Sequence, residues 1–111
     1  MVVPNGSDFP VEQVNPLISF HSAVSRQDAR DWPPGGWYPA ERMTRDEALK
    51  SITIWAAYSG FQEKVLGSLT PGKYADFVVL DQDIMRVPDA VLQDARVLST
   101  WVAGRSVYER R

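Results

Sequence analysis

The chain has 111 residues and a formal charge of −2, from 12 basic and 14 acidic side chains. That balance gives no electrostatic footing for nucleic acid or an anionic membrane, and no apolar run approaches the ~18 residues of a membrane span. With no cysteine and a single histidine, His21, the chain alone builds neither a disulfide, a thiolate metal site nor a multi-histidine metal cage.

Apolar residues make up 44% and charged residues 23%, the composition of a folded domain with a modest core. Met1 opens no signal-peptide pattern, so a cytoplasmic protein is expected. Val2 and Val3, followed by Pro, Asn, Gly, Ser and Asp, read as the end of a strand passing into a loop. Val14, Leu17, Ile18, Phe20 and Val24 then suit a short helix that starts after Asn15-Pro16. The stretch "RQDARDWPPGGWYPAERM" follows as a long loop, because Pro33-Pro34-Gly35-Gly36 forbids helix. Trp32, Trp37 and Tyr38 make it too apolar for an idle linker. They either pack over a core or line a substrate entrance.

Residues 45–59, "RDEALKSITIWAAYS", predict one helix. Thr44 caps it, Glu47 completes a capping box, and Gly60 stops it. Its second half is apolar nearly all round, so burial on more than one side is expected. Pro71-Gly72 marks a type II turn, in which Gly supplies the positive φ. Phe77, Val78, Val79 and Leu80 then form a strand to be covered on both faces. After a short turn or helix at Pro88-Asp89, residues 95–103 and 105–109 read as a hairpin around Gly104. Taken alone the elements make an α+β chain, with too few strands for its apolar faces. Self-association through uncovered strands is therefore expected of it.

"LGSLTPGKYADFVVLD" resembles the C-terminal segment of metal-dependent amidohydrolases, the urease-related superfamily, and "VLSTWVAGRSVYE" resembles the hairpin that closes such chains. "GSDFPVEQVNP" and "MTRDEALKSITIWAAY" resemble the branch called amidohydrolase family 3, which includes N-substituted formamide deformylase-like proteins. The resemblance runs from about residue 5 to 109. It implies a (β/α)8 barrel beside a small β-sandwich built from both chain ends. Residues 1–60 would be the last β/α unit of the barrel, and residues 61–111 the C-terminal strands of the sandwich. The neighbours of those strands would come from N-terminal barrel and sandwich segments absent from this chain.

The resemblance also implies chemistry: metal-bound hydroxide attacking an amide-like carbonyl of a small molecule, at carbon–nitrogen bonds other than peptide bonds. Asp8, just after the strand end, would be both a metal ligand and the proton shuttle. Its residue type suits both tasks, since a carboxylate coordinates divalent cations and accepts a proton from an activated water. On sequence alone, an Asp in Gly-Ser-Asp reads first as a turn or cap residue. The family's His-x-His pair, its further histidines and its carbamylated lysine have no counterpart here. A divalent metal, zinc foremost, is therefore expected in an intact enzyme and no tight binding by this chain alone. This polypeptide in isolation is expected to be inactive, as a fragment of such a hydrolase. The alternative is a non-catalytic interaction or regulatory module derived from one.

Among the remaining candidates, His21 reads as a helix or surface residue, since no partner lies at ligand spacing. Asp76, Asp81 and Asp83 lack the closing Glu of a calcium loop and read as strand-end and turn residues. Lys73 lacks the glycine-rich lead of a phosphate loop and reads as turn solvation.

Overall fold

A computed structural model describes residues 1–111. Helix α1 spans Pro16–Ser25, α2 Arg45–Ile52 and α3 Ile54–Ser59; strand β1 spans Phe77–Leu80, β2 Val97–Val102 and β3 Arg105–Glu109. Short 3-10 turns lie at Pro39–Glu41 and Asp89–Asp94.

Helix α1 begins where Asn15 and Pro16 dictate. The Asn15 side chain accepts the Leu17 N–H at 3.1 Å, and Pro16 takes the first helical position, where no N–H is needed. Leu17, Phe20, His21, Val24 and Ser25 are its buried residues, one stripe at i, i+3, i+4, i+7 and i+8. The stripe meets Ala48 of α2 and Ile84, Leu92 and Ala95 of the connection between β1 and β2, and together they form the core. Arg45, at the start of α2, clamps that connection. Its guanidinium donates to the carbonyls of Ile84 and Val87 and to the Asp89 carboxylate. One planar fork thus replaces several backbone partners that an irregular segment would otherwise need.

The capping box at α2 forms as the sequence predicts: Thr44 Oγ1 accepts the Glu47 N–H at 3.2 Å, and Glu47 Oε2 accepts the Thr44 N–H at 2.9 Å. Glu47 Oε2 also accepts the Thr44 hydroxyl at 2.8 Å, and the two bonds to this carboxylate, the backbone N–H foremost, hold the Glu47 carboxyl below its ordinary range. The single helix expected over residues 45–59 is two. Thr53, at φ −125° and ψ −97°, interrupts it, and Gly67 lies against the break. Helix α3 has no buried residue, and Tyr58 is exposed. Its expected burial on several sides is not supplied by these 111 residues.

The sheet is antiparallel in the order β1-β2-β3. Phe77 pairs with Trp101, and their rings stack at 5.6 Å between centroids. The β2–β3 hairpin turns through Ala103 (φ 50°) and Gly104 (φ 75°), both left-handed, as a two-residue type I′ loop requires. Asp76 locks the tip by accepting the Ala103 N–H at 2.7 Å, and Asp81 accepts the Arg96 N–H at 2.7 Å. With the Asp83 carboxylate accepting the Met85 N–H, all three aspartates are turn and strand-end residues, as read from the sequence. Val78, Val79, Leu98, Val102, Val107 and Tyr108 remain exposed on the sheet. Val2 and Val3 join no ladder, because no strand of this chain lies beside them.

At the Pro71-Gly72 turn, Lys73 N–H donates to the Thr70 carbonyl at 3.1 Å and Gly72 has φ +95°. Open space surrounds the position of a Cβ there, so replacement strains the backbone alone. Gly72→Val is expected to cost about 1–2 kcal/mol, read as a lowered denaturation midpoint with an unchanged slope.

Candidate functional site

Asp8 lies in the turn that follows residues 1–7, which form neither helix nor strand, and it is exposed. Its backbone is left-handed, at φ 48°, and its carbonyl accepts the Val11 N–H at 2.8 Å. An L-residue in that region is uncommon, although Asp tolerates it better than most. The Asp8 side chain accepts no hydrogen bond, whereas the carboxylates of Asp28, Asp76, Asp81 and Asp83 each hold a backbone N–H. A turn or cap role is therefore filled elsewhere and not by the Asp8 carboxylate. Its backbone makes the turn, and its oxygens stand free.

The metal implied by the resemblance does not fit the residues present. No three His, Cys, Asp or Glu side chains gather where they could share an ion. A lone exposed carboxylate leaves most of a divalent ion's coordination to water.

Residues 1–7 are tied to the rest of the chain by one hydrogen bond, from Asn5 N–H to the Ser51 carbonyl at 2.9 Å. Beside this tether, a cavity of about 750 Å³ runs along α1, lined in part by Asn5, Glu12, Ser19, Ser22 and Arg26. Asp8 is not among its lining residues.

His21 is a helix residue of α1, one of the two places the sequence allowed it, and it is fully buried there. Its Nε2 lies 3.1 Å from Asp31 Oδ1, close enough for an ion pair but not aligned for a hydrogen bond. The pair spans the loop that begins at the left-handed C-cap of α1, Arg26 (φ 59°). Sequence separation hides it, since nothing in the order of residues brings position 31 back over position 21.

That loop is pinned from several sides. Arg26 Nε donates to the Trp37 carbonyl at 3.0 Å and its guanidinium lies 5.5 Å from the Trp37 ring centre. Gln27 Nε2 donates to the carbonyls of Asp31 at 2.7 Å and Pro33 at 3.0 Å. Trp32, Trp37 and Tyr38 are 61–65% exposed, so they do not pack over the core of this chain. They follow the C-terminal end of α1, whereas Asp8 precedes its N-terminal end.

Asp28 accepts the N–H groups of Arg30 at 2.7 Å and Trp32 at 3.1 Å, and these bonds hold its carboxyl below the ordinary 3.8. Because the folded value is the lower one, the stabilisation is present above the ordinary value and is lost as pH falls through the folded one. Loop order, followed by near-ultraviolet circular dichroism of the tryptophans, is expected to hold above pH 3.8 and to decline below it. Asp28→Ala should remove that acid step.

The sequence profile of the Amidohydrolase family matches residues 1–108. The chain is 43% identical over 105 residues to the Protein LONG AFTER FAR-RED 3 of Arabidopsis thaliana, covering 93% of this chain and 17% of that protein. It is 35% identical over 104 residues to the N-substituted formamide deformylase of Arthrobacter pascens, covering 94% of this chain and 19% of that one. It therefore spans about a fifth of the length of these curated relatives. Escherichia coli guanine deaminase superposes on 100% of this chain and 28% of its own, with a TM-score of 0.71 at 24% identity, a likeness of fold alone. The α+β arrangement of helices and three-stranded sheet is thus a piece of the amidohydrolase fold, and the chain belongs to the amidohydrolase family, as a C-terminal portion of it.

Proposed function

We propose that the chain is part of a longer hydrolase that cleaves carbon–nitrogen bonds other than peptide bonds in a small amide-like substrate. In this reading residues 1–60 are the last β/α unit of a (β/α)8 barrel, and residues 61–111 contribute strands to a β-sandwich. N-terminal segments of the longer protein cover the apolar faces of the sheet and of α3. A divalent metal, zinc first among candidates, belongs to this reading with Asp8 as one ligand and only with further ligands from outside these residues.

The supporting observation is the Asp8 carboxylate, exposed in the first turn of the chain, held on a left-handed backbone and bonded to nothing in that turn. Left-handed backbone in a non-glycine residue is a feature that clusters at functional sites. As base, Asp8 takes a proton from the water that attacks the carbonyl carbon. The tetrahedral adduct then collapses as Asp8 returns that proton to the leaving nitrogen and the carbon–nitrogen bond breaks.

The test is an amine-release assay of the full-length protein with zinc, manganese or cobalt supplied. Its panel holds formanilide, an N-alkylformamide and a cyclic amide. Amine release from at least one of them is the expected result. No release from any member under any of the metals would overturn the proposal.

A further inference from the structure

An uninterrupted helix through residues 45–59 would use the Ser51 carbonyl internally, as acceptor for the N–H of Trp55 four residues on. The break at Thr53 releases it. Thr53 N–H turns back to the Lys50 carbonyl at 3.2 Å, its Oγ1 donates to the Leu49 carbonyl at 2.7 Å, and its own carbonyl starts α3 by accepting the Ala57 N–H at 2.9 Å. The freed Ser51 carbonyl takes the Asn5 N–H, three residues ahead of Asp8. On the other side, Gly67 sits so close that a Cβ there would lie 2.8 Å from Ile54 Cα and 3.1 Å from the Thr53 carbonyl oxygen. Its φ of +82° also belongs to the region that glycine favours.

We propose that Thr53 is a positioning residue for Asp8. The break it makes in the helix, backed by the Gly67 turn, supplies the acceptor that fixes the N-terminal segment leading to Asp8. This rests on the assignment of Asp8 as the base. The device joins three separated parts of the chain: a turn near residue 67 holds the break, and the break holds residue 5. A helix-favouring residue at 53 lets the helix close over Ser51, and the segment carrying Asp8 loses its anchor. Small misplacements of a base cost turnover out of proportion to stability.

The experiment is a double-mutant cycle in the full-length protein, using whichever amide of the panel above is turned over fastest. Thr53→Ala is expected to lower kcat about tenfold with KM within about twofold, and Thr53→Ser, which keeps the hydroxyl, to restore it. In the Asp8→Asn background, Thr53→Ala should add nothing, because the group it positions is gone. Hydrogen exchange of residues 1–8 gives a reading independent of turnover. The Asn5 amide should exchange about tenfold more slowly than that of Gly6 in the native protein, and as fast in Thr53→Ala. Full turnover by Asp8→Asn would sink the assignment of Asp8, whereas the exchange data would still show whether the tether exists. An equal loss from Thr53→Ala in both backgrounds, or an unprotected Asn5 amide in the native protein, would overturn the positioning role. Should Thr53→Ala fail to fold, Asn5→Pro carries the same test, since it removes the donor and leaves α2 untouched. Unchanged kcat in that variant would also overturn the proposal.

Discussion

Asp8→Asn in the full-length protein is expected to leave the fold intact and to lower kcat by about a hundredfold or more. The fold survives because the Asp8 carboxylate accepts no hydrogen bond and is exposed, so its removal breaks no internal contact. Asparagine also tolerates the left-handed backbone that Asp8 adopts at φ 48°. The amide cannot accept the proton of the attacking water, which confines the loss to the chemical step. In kinetic terms kcat and kcat/KM should fall together while KM stays close to its starting value. Thermal melts of the two proteins should coincide, and a hundredfold loss with a matched melt would separate chemistry from folding. Unchanged turnover would take Asp8 out of the mechanism.

Phe20→Ala carries the largest expected stability effect, about 3–5 kcal/mol. Phe20 is fully buried at the centre of α1's inward stripe. The core cluster has seven residues, so few neighbours are available to collapse into the space the ring leaves. A loss of that size is comparable to the whole stability of many small domains. The denaturation midpoint of the full-length protein should fall sharply, and the isolated 111-residue chain should not fold cooperatively. A shift below about 1 kcal/mol would mean that Phe20 is not a core residue in the longer protein.

Local signals carried most of the fold. Asn15-Pro16 start a helix by chemistry confined to neighbouring residues, and so do Thr44 and Glu47. The left-handed turns at Gly72 and Gly104 likewise follow from residue type. The break at Thr53 escaped because the apolar pattern continues through it. It is made at Thr53 and backed by Gly67, whose approach is a tertiary fact that no helical period reports. The His21–Asp31 contact escaped for the same reason, since it depends on how the loop after α1 folds back. Of the candidate site, the residue was legible and its freedom was not. Gly-Ser-Asp reads as a turn, and the structure agrees about the backbone. Only the structure shows that the carboxylate caps nothing, while Asp76 and Asp81 hold the hairpin tip and the strand end. The apolar faces of α3 and the sheet were legible as needing cover. Within these residues they remain open.

The measurement that bears most directly on this account is the mass of the native polypeptide in its source cells, detected with an antibody raised against this chain. A species of several hundred residues is predicted, in line with relatives of which this chain spans about a fifth. Its apolar faces would then be covered and Asp8 joined by the rest of a site. A native species of 12.5 kDa would contradict the account, because Asp8 alone cannot make a hydrolase and the exposed sheet would need another partner.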